Sequence, residues 1–129
     1  MPRFALLEHD HPTLHWDLML EVGEVLWTWR LDAVPRPSTV CRAIRIADHR
    51  RLYLDYEGPV SGDRGVVRRI AGGEFAWVEN SPGRIAIRLE GDGLAGRLSL
   101  EGGAAGEWEV RLDEVGAADA SLRVRDEVE

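Results

Sequence analysis

The amino-acid sequence predicts a mainly β fold, a single-domain antiparallel β-barrel with short helical turns. Three observations point there. Apolar residues alternate with polar ones over short segments, the pattern of half-buried strands. Clusters of Gly, Pro, Asn and Asp recur between these segments at hairpin spacing. No stretch sustains a helical period, although Arg50 to Glu57 has room for one short turn. With 129 residues, 44% of them apolar and five of them tryptophan, the chain fills one core of ordinary size. A closed or doubled sheet buries its apolar face and protects its edges, so the links fit a barrel or a sandwich, and the barrel is the preferred reading.

Each strand follows from its own alternation. Phe4 to Glu8, Leu14 to Val22 and Val25 to Leu31 come first, the last two joined by Gly23-Glu24. Pro35 to Pro37 breaks the chain before Cys41 to Ala47. Gly65 to Ile70 and Glu74 to Glu79 are separated by Gly72-Gly73, which reads as a turn. Arg84 to Leu89, Leu94 to Leu100 and Glu107 to Leu112 complete the set, with turns at Ser81-Pro82-Gly83, Gly91 to Gly93 and Gly102-Gly103. The expected domain is 1–114, followed by an Ala-rich acidic tail over 115–129.

Composition narrows the classes of function. Sixteen arginines and no lysine stand against 23 acidic residues, a net charge of −7 that argues against sequence-blind binding along a duplex. The charge is uneven. Between Arg36 and Arg69 eight arginines face Asp48, Asp55, Glu57 and Asp63, whereas Glu90 to Glu129 is strongly acidic. The middle of the chain is therefore the part suited to a phosphate. No apolar run is long enough to cross a membrane, the start has no signal-peptide pattern, and the single cysteine, Cys41, reads as core filler. The expectation is a cytoplasmic protein without a membrane partner.

The strongest chemical signal is the clustering of His9, His11, His15 and Asp17, with His49 following Asp48 farther on. On a strand, His15, Asp17, Met19 and Glu21 share one face, and Trp16, Leu18, Leu20 and Val22 the other. Imidazoles and a carboxylate together suit manganese, iron, zinc or nickel, and the spacing does not choose among them. A plainer alternative is that His9 and His11 are solvent-exposed loop residues and that His15 and Asp17 simply hydrogen-bond each other.

Taken together, His9-Asp10, Leu14-His15-Trp16-Asp17, Leu20-Glu21, Gly23 to Trp29, Asp48-His49 and Tyr53 through Gly58 resemble the 3′-phosphoesterase domain of the bacterial DNA repair ligase called ligase D. Two separate motifs occur in the family's order and spacing. The resemblance implies that His9, Asp17 and His49 bind a divalent transition metal, typically manganese, with zinc, nickel or iron as alternatives. It implies further that His15 and Tyr53 contact the scissile phosphate as catalytic groups. The implied activity removes 3′-terminal ribonucleotides or 3′-phosphates from the 3′ end of a DNA or DNA/RNA primer strand, alongside a separate ligase or polymerase chain.

The sequence also departs from the family. Met19 stands where the family has a phosphate-gripping arginine, and a thioether supplies no charged hydrogen bond. Arg30, Arg50 and Arg51 are the candidates to replace it, with Arg50 and Arg51 the substrate-binding pair expected here. Ala47 stands where the family has a glutamate before Asp48-His49. These departures allow an enzyme with altered phosphate contacts, a different phosphoester substrate, or a degenerate, non-catalytic module that binds metal or a nucleic-acid end on the same fold. A separate alternative, a cupin-like metal barrel for a small molecule, needs a fourth ligand that no remaining histidine supplies.

Other signals do not carry chemistry. Gly91 to Gly96 fits a dinucleotide-binding pattern by letter, but a strand rather than a helix follows it. Trp16, Trp27, Trp29, Trp77 and Trp108 read as core or rim residues rather than base-stacking platforms.

Overall fold

Alternation becomes nine strands in a computed structural model of the chain, which describes residues 1–103 and 106–113. They are β1 (Arg3–His9), β2 (His15–Val22), β3 (Val25–Leu31), β4 (Val40–Arg50), β5 (Gly58–Pro59), β6 (Val66–Ser81), β7 (Arg84–Asp92), β8 (Gly96–Gly102) and β9 (Glu107–Asp113). One 3-10 turn, Arg51–Leu54, falls where the sequence left room for it. All neighbours pair antiparallel in the order β1-β2-β3-β4-β9-β8-β7-β6-β5. Because β1 also pairs with β6, the sheet closes into a barrel-like ring, with β5 added to the outside of β6.

Two apolar clusters follow from the period of two along each strand. Inside the ring, Phe4, Leu6, Leu18, Leu20, Trp29 and Leu31 from β1 to β3 meet Phe75, Ile87, Leu98 and Val110 from the opposite wall. Cys41 belongs to this interior, and its burial pushes the thiol above its ordinary range, with Asp32 adding to the shift. Trp29 is fully buried and Trp16, Trp27 and Trp108 pack against the same core. On the outer face of β1 to β3, the residues of opposite parity form a second, smaller cluster: Ala5, Leu7, Met19 and Leu26, covered by Leu54 of the 3-10 turn and by Val67. Tyr53 and Tyr56 pack at its margin.

One expected turn is absent. Gly72-Gly73 lies inside the continuous strand β6, opposite Asp92 and Gly91 of β7. The glycines are there for close approach: a Cβ on Gly73 would stand 2.4 Å from the Glu90 carbonyl oxygen, and one on Gly91 would stand 2.3 Å from that of Gly72. The sixteen-residue strand has its pairing shift against β1 between Leu6 and Leu7. Gly93 to Ala95, by contrast, are a plain link between β7 and β8, as the rejected dinucleotide pattern required. The expected acidic tail, 115–129, lies outside the described residues. Among the described residues no helix is long and apolar enough to cross a membrane.

Candidate functional site

β1 and β2 form a hairpin in which His9 stands directly opposite His15, and Leu7 opposite Asp17. All four side chains project from the outer face, at the edge of the second cluster. One ligand atom from each of His9, His15 and Asp17 lies within 4.8 Å of the other two. His9 and His15 meet edge to face, with ring centroids 4.9 Å apart. His11 sits just outside, its ring 6.5 Å from that of His9.

Backbone carbonyls fix both imidazoles. His9 Nε2 donates to the Arg64 carbonyl at 2.7 Å, and His15 Nδ1 donates to that of Thr13 at 2.8 Å. Each ring therefore keeps its other nitrogen as a lone pair, the arrangement by which metal-ligating histidines are held in one tautomer. His15 and Asp17 are each only 5% exposed. Yet His15 Nε2 and Asp17 Oδ1 are buried with no hydrogen-bond partner, and Nε2 stands 3.5 Å from Asp17 Oδ2 without bonding to it. The plainer arrangement, a mutual hydrogen bond, is not what the side chains make. A buried polar atom left unpaired costs about 1–3 kcal/mol, so two on facing groups mark a place built for a third partner.

The second motif reaches the same face by a different route. β4 pairs with β3 through a register shift between Leu26 and Thr28, so that His49 stands opposite Leu26, a member of the outer cluster. Without that bulge Asp48 would take the place. His49 Nδ1 donates to the Ala47 carbonyl at 3.0 Å, and its ring meets Tyr53 edge to face at 5.7 Å. Tyr53 in turn meets Tyr56 at 5.7 Å. His49 is not one of the three residues whose ligand atoms converge; His15 stands there with His9 and Asp17.

The arginines sort by what they already touch. Arg51 is paired with Glu21 at 2.7 Å, so its charge is already answered, and Arg50 lies opposite Val25 at the end of β4. Met19 is fully buried in the outer cluster and offers the site no polar atom. Arg30, directly across from Asp17 on β3, brings its Nε to 3.9 Å from Asp17 Oδ1. Asp10 supports the site without joining it, since its carboxylate accepts the Val66 amide at 2.8 Å and binds the exit of β1 to the start of β6. A cleft of about 680 Å³ opens beside the cluster, with His15, Arg30, Arg42 and Trp108 in its walls.

Sequence reasoning missed the carbonyls of Thr13 and Arg64, because backbone acceptors leave no trace in residue type. The cross-strand meeting of His9 with His15 depends on the hairpin register, which the predicted strand ending at Glu8 did not give.

A closed antiparallel sheet carrying a His-His-carboxylate cluster on its outer face, with His15 and Asp17 buried and His9 half-buried, defines a class of candidate metal-site proteins. The comparisons make this specific. Residues 7–101 match the model of the DNA ligase D 3′-phosphoesterase domain. The chain is 31% identical over 111 residues to the multifunctional non-homologous end joining protein LigD of Pseudomonas aeruginosa, an alignment covering 76% of this chain and 13% of that protein. The chain belongs to the ligase D 3′-phosphoesterase domain family.

Proposed function

We propose that this chain processes the 3′ ends of DNA strands as a metal-dependent phosphoesterase, removing a 3′-terminal ribonucleotide or a 3′-phosphate. Family membership supports the end-processing role. The observation that carries the chemistry is the pair of orphaned, buried ligand atoms on His15 and Asp17 beside His9. In this reading His9, His15 and Asp17 hold a divalent transition metal, with manganese the first candidate and zinc, nickel and iron the others. Two imidazoles and one carboxylate fit such an ion and leave positions open for oxygen ligands. When bound, the metal polarises a phosphoryl oxygen and stabilises added negative charge.

The chain's own residues supply the rest. The carbonyls of Thr13 and Arg64 hold His15 and His9 in the required tautomers. Ala47 holds the Nδ1–H of His49, so Nε2 keeps a lone pair that can accept a proton from an attacking water. Tyr53 packs against it and fixes its ring. The resemblance gives His49 to the metal and His15 to the phosphate; the convergence of ligand atoms favours the exchange of those two roles.

A primer-template ending in one ribonucleotide, or in a 3′-phosphate, tests this with manganese present. Cleavage by the parent and none by Asp17→Asn or His49→Ala is expected. Metal binding without cleavage of either substrate would replace the enzyme with a module that holds nucleic-acid ends.

A further inference from the structure

We propose that Arg30 is the phosphate-gripping residue of this chain, binding a phosphate oxygen beside the His9, His15 and Asp17 cluster; the inference rests on the metal-site reading above. Arg30 lies on the cluster's side of β3, cross-strand from Asp17. Its Nε is buried and has no hydrogen-bond partner, while 42% of the side chain remains exposed. At 3.9 Å it is close enough to Asp17 for attraction and too far for a hydrogen bond. A cation held by Asp17 would take up that carboxylate's charge and leave the guanidinium without its counter-ion. An unanswered guanidinium fork next to a cation selects a tetrahedral oxyanion, which it can grip through two parallel hydrogen bonds.

The cleft fixes where the anion lies. In strand order His15 of β2 and Arg30 of β3 lie on one side of Arg42 of β4, and Glu107 and Glu109 of β9 and Glu101 of β8 lie on the other, with Asp32 just past the end of β3. The three glutamates repel a phosphate, so the anion belongs on the side of Arg30 and His15. Four other arginines are engaged: Arg51 with Glu21, Arg68 with Glu8, Arg45 with Asp48 and over Trp27 and Trp29, and Arg64 with Ser61. Arg42 also lines the cleft, but on β4, one strand farther from Asp17 than Arg30.

Calorimetric titration of inorganic phosphate into the manganese-loaded protein tests the assignment without needing turnover. The parent, Arg30→Ala, Arg30→Gln and Arg30→Lys are compared, with Arg84→Ala as a surface-charge control. Arg30→Ala and Arg30→Gln should each weaken phosphate binding about tenfold or more while manganese affinity stays within about threefold. Arg30→Lys, a point charge without the fork, should recover part of the loss. Unchanged phosphate affinity in Arg30→Gln, an equal loss in Arg84→Ala, or no phosphate binding by the parent up to about 10 mM would overturn the proposal. A parent that binds phosphate through Arg30 but cleaves no primer end sinks the enzyme reading and leaves this one standing. Equal cleavage by the parent and Arg30→Ala, with unchanged KM and phosphate affinity, does the reverse.

Discussion

The inside of the ring and the outer face of β1 to β3 are both apolar, but they are closed off by different means. The interior needs only the ring itself: alternate residues of every long strand point inward and meet. The outer cluster has no second sheet over it and depends on Leu54 from a single 3-10 turn, with Tyr53 and Tyr56 at the margin. The functional side chains lie at the border of this less protected region. Its periphery is tied by longer-range polar contacts, among them Arg3 with Asp55 and Asp10 with the Val66 amide. The difference shows that a strand's second face can be made dry by a few residues, and that polar side chains placed there gain burial without entering the main core.

The sharpest way to break the comparison is truncation on each side of β2. Leu18→Ala, in the ring interior, should cost about 3–5 kcal/mol in denaturant unfolding, enough to unfold a substantial share of molecules. Its neighbour Met19→Ala opens the smaller outer cluster, where Leu54 and Tyr53 can settle inward, and should cost about 2–3 kcal/mol. Equal losses would mean that the 3-10 turn is as rigid a cover as a sheet.

Next in size is the effect of the site itself. Asp17→Asn should weaken manganese binding at least about a hundredfold, near 2.7 kcal/mol, and leave the metal-free protein no less stable than the parent. The reason is that a buried carboxylate whose Oδ1 accepts no hydrogen bond, with Arg30 no nearer than 3.9 Å, adds little to the fold. Thermal melts with and without manganese check both halves, since a ligand raises the melting temperature only of a protein that binds it. A metal-free Asp17→Asn protein that melts well below the parent would show that the carboxylate serves packing.

Smaller effects probe the edges. Cys41, buried with its thiol pushed up, should react with iodoacetamide at neutral pH far more slowly in the native protein than in denaturant. Comparable rates would show that the ring opens readily at β4. The Arg3 and Asp55 pair is largely exposed and should contribute about 0.5 kcal/mol or less. Arg3 holds the Asp55 carboxyl below its ordinary range through their hydrogen bond and charge. The stabilisation is therefore present above the ordinary carboxylate range and is lost as pH falls through the depressed value. The melting difference between the parent and Asp55→Asn should shrink over that acidic interval.

The strands were legible because each buries one face, and a period of two survives in residue type: Leu18 and Leu20 inward, His15 and Asp17 outward. Gly72-Gly73 was misleading because the same residue serves turns and tight crossings, and only the partner strand at Gly91 distinguishes them. Ring closure between β1 and β6 was not written locally, since those residues are distant in sequence. Most of the site's residues were visible as a cluster of histidines. Which of them converge was not, because that depends on the hairpin register that sets His9 against His15, and on the bulge that turns His49 to their side. Met19 is visible in the sequence, but its complete burial under Leu54 depends on a turn from another part of the chain.

The double pairing of β1 also orders events in time. The hairpin that brings His9, His15 and Asp17 together is complete by Val22, a local contact formed on the microsecond scale of hairpins. The other edge of β1 waits for β6, whose Val67 faces His9 and whose approach brings the Arg64 carbonyl to that imidazole. During synthesis the three side chains can meet before the ring exists, but His9 is aimed only when the ring closes. The final geometry of this cluster thus depends on a long-range contact, the kind whose formation requires distant parts of the chain to find each other.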